Sequence, residues 1–141
     1  MAFRKKFHEV ITDDIDLAII QECENEERLQ EELSAIDYNE IIWYGNNVHK
    51  GIGIISFNEV HIALKKSFNS KFEYVLPITL SVGKREINLF AIWAMPHKES
   101  KARSYVGQVW AAINFYEELL NQETILVGDL NSNKFWDKRG R

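Results

Sequence analysis

The spacing of apolar residues changes along the chain, and each change marks a structural element. Phe3, Phe7, Val10 and Ile11 recur at helical spacing, which predicts a short amphipathic helix over residues 3–11 that ends near Thr12-Asp13-Asp14. Leu17-Ala18-Ile19-Ile20 is instead a continuous apolar run between acidic residues, the pattern of a strand buried on both faces, and it finishes at Gln21-Glu22. Asn25, followed by Glu26 and Glu27, suits a capped helix to about Leu33, because a short polar side chain and acidic groups favour a helix N-terminus. Residues 41–44, 51–57, 60–64, 72–82 and 87–93 are rich in β-branched and aromatic side chains and predict a meander of largely antiparallel strands. Gly83-Lys84-Arg85 separates two of them as a hairpin turn; it lacks the flanking residues of a phosphate loop. Lys101 to Leu120 carries a wide apolar stripe that includes Val106, Val109, Trp110, Ile113 and Phe115, and reads as a helix covering a sheet. Thr124-Ile125-Leu126-Val127 reads as a second buried strand, closed by Gly128-Asp129-Leu130-Asn131.

Composition adds limits to this pattern. A chain of 141 residues suits one domain, long enough to bury roughly 68% of its unfolded surface. With 45% hydrophobic and 27% charged residues it has the composition of a protein with a packed core. The N-terminus has no apolar leader pattern, and the longest apolar stretch, Leu89 to Pro96, is far short of the ~20 residues that cross a bilayer, so a cytoplasmic protein with no membrane partner is expected. Cys23 is the single cysteine, and no internal disulfide can form. A net charge of -4 argues against a protein held to nucleic acid mainly by nonspecific electrostatics. Charge is uneven, however. Residues 22–40 are acidic, whereas Arg4, Lys5 and Lys6 at one end and Lys134, Lys138, Arg139 and Arg141 at the other are basic; both read as solvated surface.

Two buried strands therefore end in polar groups, at Gln21-Glu22 and at Asp129-Leu130-Asn131. Side chains at the C-terminal ends of strands project where open α/β folds place ligands, and carboxylates there offer hard oxygen ligands for Mg²⁺ or Mn²⁺. A metal so held polarises a phosphoryl oxygen, and a neutral Asn131 can hydrogen-bond a phosphate without repelling it. Taken singly, each motif is also an ordinary strand end or turn.

In this order along the chain, the motifs resemble those of the endonuclease/exonuclease/phosphatase superfamily, which includes pancreatic deoxyribonuclease, abasic-site endonucleases, sphingomyelinases and inositol polyphosphate phosphatases. Asp16-Leu17-Ala18-Ile19-Ile20-Gln21-Glu22 is similar to the family's strand that carries a metal-binding Glu, and Lys50-Gly51-Ile52-Gly53-Ile54-Ile55-Ser56 to its following core strand. Gly128-Asp129-Leu130-Asn131 resembles the Gly-Asp-Phe-Asn motif, with Leu130 in place of Phe. Glu86 to Trp93 with Pro96-His97 resembles the strand and loop that place an aromatic, Tyr or His near the phosphate, and the helix with Arg103 and Gln108 fits as well. The resemblance implies an α/β (α+β) fold: a partial four-layer sandwich of two mainly antiparallel sheets flanked by helices, forming a single domain over residues 1–141. It implies Mg²⁺ or Mn²⁺ at Glu22, Asp129 orienting water, Asn131 holding phosphate, and His97 as a phosphate contact. Against this, the family's first strand and its Asn are expected before residue 3, and a second aspartate and a terminal Ser-Asp-His are expected after Asn131. The catalytic set is incomplete, and weak or no turnover is expected.

The expected activity is metal-dependent hydrolysis of a phosphodiester, with nucleic acid among the candidate substrates. The alternative is a non-catalytic module that binds phosphate, nucleic acid or protein, the last through exposed sheet edges that pair with another chain. His8, His49 and His61 lack the spacing of a zinc site. Trp43, Trp93 and Trp110 lie in apolar periodic segments and read as core, whereas Trp136 sits in the basic terminal stretch. Cys23 reads as a packing residue, since the neighbouring negative charge disfavours its thiolate.

Overall fold

The computed structural model describes residues 3–97 and 104–132. Arg103, Lys134, Trp136, Lys138, Arg139, Arg141 and the first residues of the expected 101–120 helix lie outside the described residues. Strands β1 (Leu17–Cys23), β2 (Glu40–Asn47) and β3 (Lys50–Ser56) form an antiparallel sheet in the order β1-β3-β2. Strands β4 (Val60–Leu64), β5 (Val75–Val82), β6 (Arg85–Trp93) and β7 (Thr124–Asp129) form a second sheet in the order β4-β5-β6-β7, antiparallel except for the β6–β7 pair. The helices are α1 (Phe7–Val10), α2 (Gln30–Leu33), α3 (Val106–Phe115) and α4 (Glu117–Leu120).

Side-chain alternation along the strands builds the layers. Ile52 and Ile54 of β3 pack against Leu76, Ile78, Leu89, Ala91 and Trp93 of the second sheet, forming a core between the sheets. Ala18, Ile20 and Ile55 point the other way and are covered by Phe3, Phe7, Leu29 and Leu33. Phe90 and Ile92 point outward from the second sheet and are covered by Val109, Ala112 and Tyr116. The result is helix, sheet, sheet, helix: the four-layer α+β sandwich expected from the sequence.

The elements differ from the sequence expectations in instructive places. Each of the first two helices begins as a 3₁₀ turn, Phe3–Lys6 and Glu26–Leu29, and continues for only four residues as α1 or α2. Asn25 does cap the second, its side chain accepting the Arg28 N–H at 3.3 Å. The 72–82 strand begins later, at Val75, because Ser70–Phe72 forms a 3₁₀ turn capped by Asn69. The long helix breaks at Tyr116, whose buried ring packs against Phe90 and Phe72 while its hydroxyl accepts the Asn69 N–H at 2.9 Å. The Gly83 turn is the hairpin expected, with φ +58.

Two burial expectations are overturned. Strand β7 is not a buried strand: it is the last strand of its sheet, and Ile125, Leu126 and Val127 are 43%, 45% and 37% exposed. Among the described residues β6 is its one partner in the sheet, and its other edge is unpaired. Trp110 is not core either, being 66% exposed. The stripe on α3 is wider than the face that meets the sheet, which is built on Val109 and Ala112 with Ile113 partly buried beside them.

Candidate functional site

The C-terminal ends of β1, β6 and β7 meet at one edge of the sandwich. The Gln21 side chain donates to the Ile92 carbonyl at 3.3 Å and ties the end of β1 to β6. In the parallel β6–β7 ladder Ile92 pairs with Gly128 and Trp93 with Asp129. Gly128 has φ +141, and a Cβ there would lie 1.9 Å from the Ile92 oxygen, so only glycine allows this approach. Ala94 then donates its N–H to the Asp129 carbonyl at 2.8 Å and accepts the Asn131 amide on its own carbonyl at 2.8 Å. The Asn131 N–H donates to Asp129 Oδ1 at 2.8 Å, which closes a tight turn.

Glu22 sits in an irregularity of β1, where the pairing register shifts between Gln21 and Cys23, and it has φ +57. Such bulges re-aim a side chain. The Glu22 carboxylate accepts from Lys50 Nζ at 2.9 Å, with both side chains more than half exposed, a pairing worth only about 0–1 kcal/mol. The next residue inward, Cys23, is buried, and burial first and the Glu24 charge second push its thiol up to about 12. A thiol so protonated is a packing group, as the sequence suggested.

His97 follows Ala94 by three residues and donates its backbone N–H to Ser104 Oγ at 2.8 Å. It lines two adjoining clefts. One, of about 430 Å³, is lined also by Asn46, Glu73, Tyr74, Met95 and Gln108; the other, of about 290 Å³, by Lys71, Phe72, Gln108 and Ala111. Asn46 reaches the first because the β2–β3 register shifts between Tyr44 and Asn47, and its amide donates to Glu73 Oε2 at 3.0 Å. Burial and the Glu73 charge both raise the pKa of Tyr44 and of Tyr74, keeping these phenols protonated, although a hydrogen bond from the Asn46 backbone partly offsets the shift at Tyr74. Gln108 Oε1 accepts the Met95 N–H at 3.3 Å, which anchors α3 to the loop after β6.

Asp129 and Asn131 are thus in direct contact, and His97 lies on the loop that Asn131 holds through Ala94. Glu22 is beside Gln21, which reaches the same strand end, but its carboxylate is engaged with Lys50. Among the described residues no group of three or more His, Cys, Asp or Glu side chains is placed to hold a metal ion. The carboxylates present do not form a cage of the kind that closes around Mg²⁺ or Mn²⁺ with protein ligands alone. Sequence reasoning missed Asn46, Glu73 and Lys71. The Asn-rich turn at residues 45–47 was the available signal for the first; nothing local marks the other two. Neither family models, curated proteins nor solved structures gave a match to the chain.

Proposed function

We propose that this chain is a phosphoester-binding domain of the endonuclease/exonuclease/phosphatase type, with weak or no turnover. The observation that carries this reading is where the backbone is strained. Among the described residues five non-glycine residues have positive φ, and four of them, Glu22, Tyr74, Tyr105 and Asn131, lie at the edge where β1, β6 and β7 end. Each such conformation costs on the order of 1–3 kcal/mol and clusters where function requires a fixed geometry. In this reading Asn131 and His97 contact phosphate, Asp129 orients water, and Glu22 is the carboxylate nearest to a role in holding Mg²⁺ or Mn²⁺. A single carboxylate paired with Lys50 would leave such an ion dependent on water and on substrate oxygens. Little turnover then follows, because hydrolysis needs both a held metal and groups that stabilise developing charge.

The test is hydrolysis of bis-p-nitrophenyl phosphate and of a labelled oligonucleotide with Mg²⁺ or Mn²⁺, beside a Glu22→Ala, Asp129→Ala double variant. Slow hydrolysis lost in the variant, or no hydrolysis accompanied by phosphate shifts at Asn131 and His97 in NMR titration, supports the reading. Absence of both refutes it. A second reading, a protein-binding module, is favoured by one observation: among the described residues β7 has an unpaired edge, and apolar side chains on it are exposed.

A further inference from the structure

Among the described residues four strands stand at sheet edges, and three of them are obstructed. At β4 the Asn39 amide donates to the Val60 carbonyl at 3.1 Å and the Glu40 carboxylate accepts the Ile62 N–H, so side chains occupy main-chain groups that another strand would use. In β1 and β2 the pairing register shifts, after Gln21 and after Tyr44. Strand β7 has neither device: its register is unbroken, and Thr124 to Gly128 contain no charge and no proline. The parallel ladder with β6 uses alternate residues of this segment, the Glu123 and Asp129 carbonyls accepting from Asn88 and Ala94 at 2.9 and 2.8 Å. The same alternation turns the N–H and C=O of Thr124, Leu126 and Gly128 to the open edge, where they have no hydrogen-bond partner among the described residues.

Apolar side chains flank that edge on both faces. Ile125 and Val127 share the face of Leu89 and Ala91 toward the first sheet, and Leu126 shares the face of Phe90 toward α3. On α3, Phe115 meets Phe72, and Gln108 and Ala111 line the cleft beside Phe72, which precedes β5; Val106 and Trp110, 49% and 66% exposed, stand on the opposite flank, toward β7. With Leu130 these side chains leave roughly 600 Å² of apolar surface in water, the upper end for the largest patch on a typical monomer and most of the ~800 Å² that each partner gives to a standard interface.

We infer that a second copy of this chain pairs here, β7 antiparallel to β7, about a twofold axis at Leu126. The axis sets Leu126 against Leu126, Thr124 against Gly128 and Ile125 against Val127, so outward main-chain groups meet one another and each apolar side chain meets another. The like-charged pair that it brings opposite, Glu123 and Asp129, is offset by Arg85, whose Nη2 donates to both Glu123 oxygens at 3.0 Å. Across β6-β7-β7-β6 the two copies of α3 stand about 14 Å apart, wider than the 8–10 Å of directly packed helices, and Val106 and Trp110 of each are directed into that gap. An uncharged edge selects no partner by charge, and β7 itself is a strand with the same open, uncharged edge. This inference rests on the protein-binding reading and names its partner; it is independent of phosphate chemistry.

The experiment is sedimentation equilibrium of the full chain from about 1 to 500 μM, with hydrogen exchange at the Leu126 amide. A monomer–dimer equilibrium is expected, with that amide protected at high concentration and not at low. Leu126→Lys, at a position 45% exposed and so tolerant of the change, puts two like charges opposite each other and raises the dissociation constant at least about tenfold. Leu126→Cys reads the register: with Cα atoms about 5.5 Å apart across the axis, it links two copies under oxidised glutathione faster than Ile125→Cys, which faces Val127, and buried Cys23 adds no link. A dimer that Leu126→Lys leaves intact, or in which Leu126→Cys links no faster than Ile125→Cys, overturns the proposal. A chain monomeric at every concentration overturns it too. Fast exchange at Leu126 in that monomer leaves the edge, and the protein-binding reading, to a different protein; protection there puts another segment of this chain on the edge and removes that reading as well.

Discussion

Gly128→Ala tests whether the approach of β7 to β6 is what positions Asp129 and Asn131. The added Cβ would meet the Ile92 oxygen at 1.9 Å, its carbonyl carbon at 2.7 Å and its nitrogen at 2.9 Å. All three are backbone atoms of the neighbouring strand, so no side-chain rotation relieves the clash. The φ of +141 adds a strain of about 1–3 kcal/mol for an L-residue. Strand β7 must therefore move away from β6, and each ladder bond lost costs about 0.5–1.5 kcal/mol. The loss has a ceiling, because Ile125, Leu126 and Val127 are already 43%, 45% and 37% exposed and forfeit only part of the ~1.5–3 kcal/mol that full burial of such a side chain gives. A total of about 3 kcal/mol is expected, released as local detachment of β7. Urea denaturation measures the total, and hydrogen exchange locates it. The Ala94 N–H, bonded to the Asp129 carbonyl at 2.8 Å, should lose protection, whereas Ile52, Ile54 and Ile55 of β3 keep theirs. Wild-type exchange at Ala94 together with stability within about 0.5 kcal/mol of wild type would refute the argument.

Two further outcomes follow. Cys23, 0% exposed, should resist iodoacetamide at pH 8 in the folded protein and react on unfolding; because its native thiol titrates near 12 against an ordinary 9.0, the folded state keeps a proton that the unfolded state releases. Stability should hold below about pH 9 and fall as pH rises toward 12, more steeply than in Cys23→Ala, and equal slopes in thermal melts would show the thiol plays no part. At the open edge, Val127→Lys should reduce self-association at high concentration in analytical ultracentrifugation, since a charge on an apolar edge strand blocks pairing; a wild-type chain that stays monomeric throughout would show that the edge is not adhesive.

The sequence was legible where one residue's chemistry decides the outcome locally. The β-branched and aromatic runs at 51–57 and 87–93 were legible as strands, and the two-residue period of a strand sets Ile52 and Ile54 on one face and Ile55 on the other, but which face meets the second sheet and which the helices is decided by the packing of the layers. Burial of β7 was misread because a continuous apolar run reports what a strand could bury, whereas actual burial depends on a neighbour beyond its edge. Trp110 was misread for the same reason on a helix: the sheet meets the stripe on α3 along Val109 and Ala112, with Ile113 partly buried beside them, and leaves Trp110 66% exposed. Glu22, Asp129 and Asn131 were visible as polar ends of apolar runs. The Asn46–Glu73 pair was not, because it is assembled by a register shift after Tyr44 and by the Trp93 to Tyr74 hydrogen bond, neither of which has a local signature.

The strained residues and the hydrogen bonds around them form one argument about rigidity. Four left-handed non-glycine residues at about 1–3 kcal/mol each would consume a large share of the 5–15 kcal/mol that stabilises an ordinary domain, unless surrounding contacts over-determine them. Those contacts are present: Tyr74 accepts from Trp93 at 2.8 Å, Tyr105 donates to Met95 at 2.9 Å, and Asn131 is held by Asp129 and Ala94 at 2.8 Å each. One bond from each of these three residues reaches residues 93–95, where β6 ends. A perturbation at Ala94 or Met95 is therefore transmitted to Tyr74, Tyr105 and Asn131 together, whereas Glu22, whose carboxylate pairs with Lys50 with both side chains more than half exposed, is not tied to that segment through its side chain.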